Sequence, residues 1–267
     1  MKKILVPTDF SKAADAAAHY SVALAAELSA KVELVHVINA GTDSKHPNWK
    51  KIEAELTQSS ADSAKRLIDE LGPSAKVVYT LLKGFPFHEV VADYAEKSGA
   101  DIVAIGSRGA SGVKKALIGS NAATLISGCP VPVLVIPAEA KFTGIKKIVY
   151  PTDMTHLDEE VKTVVHLARP LDAEVIVLHV TSEKKRDRTT LRDILARMAK
   201  HKKLRLEVVE NPDVVNGIDG FILHEHADML AMFTHELSFF EKLFGLGVTR
   251  ALAFHNTIPL LAIKRSK

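Results

Sequence analysis

Lys3-Ile4-Leu5-Val6-Pro7-Thr8-Asp9 is a short apolar run closed by a proline, a hydroxyl and an acid, and it returns as Lys147-Ile148-Val149-Tyr150-Pro151-Thr152-Asp153. Three more landmarks follow in the same order. Val35-His36-Val37 returns as Leu178-His179-Val180, Ala100-Asp101-Ile102-Val103-Ala104-Ile105 as Ala227-Asp228-Met229-Leu230-Ala231-Met232, and Val131-Pro132-Val133-Leu134 as Ile258-Pro259-Leu260-Leu261. A repeat of this length is a domain, not a solenoid unit. The spacing between copies shrinks along the chain, so the second copy is shorter in its middle. The copies are expected at 1–140 and 144–267, joined by the small and polar stretch Ala138 to Gly144.

Within the first copy, β-rich runs alternate with helical patterns. Ile4–Val6, Val32–Ile38, Val77–Leu82, Ile102–Ile105 and Val133–Ile136 read as strands, several of them apolar on both faces as in buried parallel sheets. Ala14, Ala18, Val22, Ala25 and Leu28 recur at helical spacing behind Ser11, a good N-cap. Ile52, Leu56, Ala64, Leu67 and Leu71 repeat the pattern, and Pro86 suits the first turn of a third helix through Tyr94. Alternation of this kind predicts two tandem doubly wound α/β domains, each a five-stranded parallel sheet with helices on both faces.

Composition agrees with that architecture. The 267 residues are 47% hydrophobic and 25% charged, which excludes a disordered chain. The net charge of +3 is too small to imply nucleic acid. No apolar run reaches the ~18 residues of a membrane span. The apolar run behind Lys2-Lys3 is too short for a signal-peptide core, and Cys129 is the only cysteine, so a cytoplasmic location is expected.

Ligands of such sheets sit beyond the strand ends where the strand order reverses. The loops concerned are Pro7-Thr8-Asp9-Phe10-Ser11 and the run from Gly106 through Arg108, Gly109, Lys114 and Lys115 to Gly119, Ser120 and Asn121. Glycines admit close backbone approach, and the helix start near Ser120 offers free N–H groups to an anion. A glycine-rich loop could also serve turning alone.

The spacing Gly106, two residues, Gly109, nine residues, Gly119-Ser120, after an apolar strand and at a helix start, resembles the nucleotide motif of the universal stress protein family. Pro7-Thr8-Asp9, His36-Val37-Ile38 and Gly84-Phe85-Pro86 are similar to that family as well. The resemblance implies the strand order 3-2-1-4-5 and a bound ATP (or ADP or AMP), with Mg²⁺ or Mn²⁺ at its phosphates. It implies Pro7, Thr8, Asp9 and Val37 at the adenine and ribose end. Ile105, Gly106, Arg108, Gly109, Gly119, Ser120 and Asn121 would hold ribose and phosphates. The function implied is a nucleotide-binding stress-response or regulatory module. Two rivals remain at this point: a slow ATPase or autophosphorylating enzyme, and a nucleotide-free interaction scaffold. No nucleophile-base-acid set is evident, which leaves no catalytic residue to name.

The second copy departs from the motif. Aligning Asp228 on Asp101 puts Phe233 at Gly106, Glu236 at Gly109, Leu246 at Gly119 and Gly247 at Ser120, with Glu210 expected at Gly84. A carboxylate and bulky side chains in place of glycines predict a domain unable to bind ATP in the family's manner. His224, His226 and His235 are candidate metal ligands, against the plainer reading of solvated side chains. Lys184–Arg205 holds ten Lys or Arg, but Leu191, Ile194, Leu195 and Met198 mark it as an amphipathic helix with a charged outer face. Phe239, Phe240, Leu243 and Phe244 are read as filling for the degenerate cleft. In the resembled family the last strand is an edge that pairs between subunits. The two tethered copies are therefore expected to pair 131–136 with 258–263 as an intramolecular pseudo-dimer, and whole chains could associate further as a homodimer.

Overall fold

A computed structural model describes residues 1–39, 48–73, 75–107, 119–181, 203–234 and 258–264. The chain gathers into two compact units, Met1–Phe142 together with Ala262–Lys267, and Thr143–Leu261.

In the first unit the strands are β1 (Lys3–Pro7), β2 (Lys31–Ile38), β3 (Val77–Lys83), β4 (Ile102–Gly106) and β5 (Val133–Ile136). They lie in the order β3-β2-β1-β4-β5, and every neighbouring pair is parallel. The helices are α1 (Lys12–Leu28), α2 (Trp49–Leu71), α3 (Phe87–Lys97) and α4 (Ser120–Gly128). Ile4, Leu5 and Val6 of β1 and Val103 and Ala104 of β4 are fully buried, as the middle strands of a sheet covered on both faces must be. Ser11 caps α1 by accepting from Ala14 N–H at 3.3 Å. Pro86 stands one residue outside its expected place. With φ −77° and ψ 157° it is the extended residue before α3, whose first turn starts at Phe87.

The second copy of the repeat follows the same scheme with β6 (Lys147–Pro151), β7 (Glu174–Thr181), β8 (Leu204–Glu210), β9 (Met229–Phe233) and β10 (Leu260–Ile263), of which Leu260 and Leu261 fall within the second unit. The order β8-β7-β6-β9-β10 matches that of the first unit, and β6 is parallel to β7 and β9. Its helices among the described residues are α5 (Leu157–Ala168), followed by a 3₁₀ turn at Arg169–Leu171, and α6 (Val214–Glu225). The expected helix within 184–205 and the Phe239–Phe244 patch lie outside the described residues, save Lys203 to Arg205, which lead into and open β8. No helix among the described residues is long and apolar enough to cross a membrane.

The units carry different ionic networks. In the first, Glu33 in the middle of β2 accepts from Thr80 Oγ1 (2.7 Å) and Tyr94 OH (2.5 Å) and pairs with Lys3 Nζ (2.6 Å). Burial opposes its charge, but Lys3, Tyr94 and Thr80 together hold the carboxyl below the usual range. In the second, Arg205 on β8 bridges Glu174, Glu207 and Glu225, and Lys147 joins at Glu225.

Candidate functional site

β1 is the switch strand of the first unit, with β2 on one side and β4 on the other, so the crevice opens beyond Pro7. The turn there is built from side-chain bonds to its own backbone. Thr8 N–H donates to Val35 O (2.8 Å), Thr8 Oγ1 accepts from Phe10 N–H (2.9 Å), and Asp9 Oδ1 accepts from Ser11 N–H (3.0 Å). These bonds hold Phe10 at φ 58°, a conformation a bulky residue rarely adopts. His36 Nδ1 meets Thr8 O at 2.8 Å. A carbonyl only accepts, so this nitrogen carries the proton. Thr8 is buried and Asp9 is exposed at the crevice mouth.

Val37 follows from strand parity. Val35 bonds toward β1, whereas Val32 and Ile38 bond toward the β3 side, through Val32 N–H to Lys76 O and Gly84 N–H to Ile38 O. Alternation therefore turns the Val37 N–H and C=O toward β1, whose chain has already turned away at Thr8. A donor and an acceptor on one strand edge face the crevice together.

On the other side of β1, Ile105 and Gly106 end β4 and are buried. A Cβ on Gly106 would stand 2.6 Å from Ala13 O and 2.9 Å from Ala13 C, so the glycine lets α1 lie close on β4. Ser107 N–H donates to Ile136 O (2.8 Å), and Ser107 O accepts from Gly119 N–H (2.7 Å). That last bond brings the two limbs of the glycine motif together. Gly119 has no side chain to cap α4, and among the described residues no side chain caps its start, so the first-turn N–H groups at Ser120, Asn121 and Ala122 point from a positive helix end. Ser120 and Asn121 are exposed. Arg108 and Gly109, with Lys114 and Lys115, lie outside the described residues.

The second unit keeps the first half of this arrangement atom for atom. Thr152 N–H donates to Leu178 O (2.9 Å), Met154 N–H to Thr152 Oγ1 (3.0 Å) and Thr155 N–H to Asp153 Oδ1 (2.7 Å). His179 Nδ1 meets Thr152 O at 3.0 Å, and Met154 repeats the left-handed conformation at φ 77°. The other half is rebuilt. Phe233 ends β9 where Gly106 ends β4, and its ring stands edge-on to Tyr150 at 5.9 Å. Tyr150 OH donates to the buried Glu160 on α5. Val6, Gly106 and Ala16 are all small at the corresponding places, and His156, in the left-handed region, shortens the start of α5.

Strand register corrects one alignment. Thr181 pairs with Glu210 as Ile38 pairs with Lys83, and Asn211 N–H donates to Thr181 O (3.0 Å) as Gly84 N–H does to Ile38 O (3.0 Å). Asn211, not Glu210, therefore occupies the place of Gly84. The change is matched across the crevice rim. A Cβ on Gly84 would meet Val90 Cγ2 at 2.7 Å, and a Cβ on Gly217, the counterpart of Val90, would meet Val180 Cγ1 at 2.6 Å and Asn211 Cβ at 3.1 Å. Each unit places one glycine in this pair, on opposite sides.

His224 is in the last turn of α6 and His226 is its left-handed C-cap, with N–H to Ile222 O and Leu223 O. No group of three or more His, Cys, Asp or Glu able to hold a metal occurs among the described residues, and His235 lies outside them. The Tyr150–Glu160 pair and the Arg205 network were not anticipated. A lone glutamate in the apolar stripe of Leu157, Val161 and Val164 was the available signal for the former.

The profile of the universal stress protein family matches residues 1–137. Universal stress protein MJ0531 of Methanocaldococcus jannaschii is 31% identical over 146 residues, covering 52% of this chain and 84% of that protein. Universal stress protein MJ0577 of the same organism is 30% identical over 153 residues, covering 51% and 94%. Among solved structures, a universal stress protein from Archaeoglobus fulgidus DSM 4304 aligns over 99% of this chain and 98% of its own, with a TM-score of 0.72 at 18% identity, a likeness of fold.

Proposed function

The chain belongs to the universal stress protein family, and on that premise we propose that its first unit binds one ATP per chain and that the protein acts as a nucleotide-responsive module of the stress response. One observation carries the reading. Two sets of open backbone groups flank the end of β1: the N–H and C=O of Val37 on one side, and the uncapped start of α4, tied to β4 through the Gly119–Ser107 bond, on the other. A strand edge with one donor and one acceptor suits the hydrogen-bonding edge of adenine. A bare helix start suits phosphate.

On this reading Val37, Pro7 and Thr8 take the base and the exposed Asp9 carboxylate takes ribose hydroxyls. Ile105 and Gly106 form the floor, and Gly119, Ser120 and Asn121 meet the phosphates. Arg108 and Gly109 complete the motif in sequence. Mg²⁺ or Mn²⁺ would come with the phosphates, needing no protein cage of its own. The second unit, with Phe233, Glu236 and Leu246 at the places of Gly106, Gly109 and Gly119, lacks the phosphate half. The single cysteine, buried at Cys129, suits a cytoplasmic setting.

Calorimetric titration of the whole chain with Mg-ATP should give one equivalent, and Gly109→Glu should abolish it by adding bulk and negative charge where phosphate sits. Two equivalent sites per chain, or unchanged affinity in a folded Gly109→Glu protein, would overturn the reading.

A further inference from the structure

We infer that β3, the outer strand of the first unit, is a docking edge for a second copy of this chain, with the two β3 strands paired antiparallel about a two-fold axis. The inference does not depend on the nucleotide reading.

β3 has β2 on one side and, among the described residues, no strand on the other. Val32 N–H donates to Lys76 O (3.1 Å) and Gly84 N–H to Ile38 O (3.0 Å), so the even-numbered residues of β3 commit their backbone groups to β2. Alternation turns the N–H and C=O of Tyr79, Leu81 and Lys83 outward. A row of open donors and acceptors on an apolar strand invites another strand, and proteins normally guard such an edge with charge. Val77-Val78-Tyr79-Thr80-Leu81-Leu82 holds none. The one charge of β3, on Lys83, is neutralised by Glu53 of α2 at 2.7 Å.

The internal repeat supplies the comparison. Thr181 pairs with Glu210 as Ile38 pairs with Lys83, so β8 is the same strand of the second unit, and Arg205 and Glu207 stand at the places of Val78 and Thr80. Arg205 donates to Glu207 (2.8 Å), Glu225 (2.7 Å) and Glu174 (3.3 Å). A strand arriving at β8 would have to desolvate that network. At β3 it would meet Val78, which is 56% exposed. Among the described residues, the exposed large hydrophobic side chains of the first unit are Leu56, Val78 and Phe85. All three adjoin this edge: Val78 is on β3, Phe85 is just past its end, and Leu56 is one turn on from Glu53 in α2.

The occupant follows from the register. An antiparallel partner must bond through outward residues of its own, and a two-fold axis at Leu81 lets β3 do so with itself. Leu81 then faces Leu81 of the second copy, and Tyr79 faces its Lys83. Val78 comes opposite Gly84, which has no side chain, and beside Phe85. Such a contact is isologous and closes at two chains, because the equivalent edge of the second unit is guarded. One strand pair and its flanks bury less than the ~1,000 Å² of a standing complex, so dissociation at about 10–100 µM is expected.

The test is sedimentation equilibrium of the whole chain from about 1 to about 300 µM, with hydrogen exchange resolved by residue at both ends of that range. The mass should rise from one chain toward two. Within β3, the amides of Tyr79, Leu81 and Lys83 alone should exchange severalfold more slowly at the high concentration. Val78→Arg, which carries the charge of β8 to the exposed place, should weaken association about tenfold. Lys83→Pro removes an outward donor and no bond to β2, and should also weaken it about tenfold, whereas Lys83→Gln keeps the donor and should stay within about twofold. Circular dichroism of all three should match the unsubstituted chain. A single chain throughout the range, or an association that either Val78→Arg or Lys83→Pro leaves unchanged, overturns the inference. Assembly beyond two chains overturns it as well, since β3 would then be pairing with a different edge. Protection that does not alternate along β3 overturns it without recourse to any variant.

Discussion

Gly106→Ala separates two reasons for a glycine at the end of β4, close packing of α1 and room for a ligand. The added methyl would stand 2.6 Å from Ala13 O and 2.9 Å from Ala13 C, both backbone atoms that cannot rotate away. Either the first turn of α1 or the end of β4 must shift by several tenths of an ångström. Overpacking of this kind costs about 1–3 kcal/mol. Alanine also narrows the unfolded ensemble, which returns about 0.4–1 kcal/mol because Gly106 is not among the positive-φ residues. The net expectation is a first unit weaker by about 1–2 kcal/mol. Trp49, the only tryptophan, opens α2 in that unit, so urea unfolding followed by its fluorescence reports there. With a slope of about 2 kcal/mol per molar urea, the midpoint should fall by about 0.5–1 M with the slope unchanged. A midpoint equal to or above that of the unsubstituted chain would refute the packing argument. If ATP binding were lost in that same stable protein, the glycine would be reserved for the ligand.

Other consequences follow from the second unit. Gly217→Val should destabilise it by about 2–3 kcal/mol by driving a side chain into Val180 and Asn211, and adding Asn211→Gly should restore part of that loss. A double-mutant cycle with no coupling energy would sink the proposed exchange with Gly84 and Val90. Gly220, with nothing within 4 Å of its added Cβ, should give a Gly220→Ala protein about 0.5–1 kcal/mol more stable by thermal melting. The Glu225 carboxyl is held low first by the Arg205 hydrogen bond at 2.7 Å, then against burial by Lys147. Its folded value lies below the ordinary 4.5, so its stabilisation is complete above that pH and is lost as pH falls through the folded value. Glu225→Gln should therefore cost about 1 kcal/mol at pH 7 and less as the pH falls toward 2, measured by urea midpoints followed by circular dichroism. A deficit that persists undiminished at pH 2 would mean the charge is not what stabilises.

Much of this was legible in the sequence because it depends on neighbours along the chain. Period-two and period-3.6 patterns located the strands of the first copy and its first helices, Ser11 announced its cap, and the four repeated landmarks revealed the second copy. The glycine spacing from 106 to 120 identified a strand end and a helix start that are indeed tied together, at Ser107 and Gly119. What stayed hidden depends on which distant elements touch. Nothing local says that Gly106 lies under Ala13, that Gly84 and Gly217 trade places with Val90 and Asn211, or that Tyr150 reaches Glu160. Counting residues put Glu210 at Gly84, and only hydrogen-bonded strand register moved that place to Asn211. Val37 was named through the family resemblance alone, and the residues themselves do not reveal its open edge, because a backbone group is left unpaired only when a neighbouring strand ends beside it, and where that strand ends is decided by the sheet.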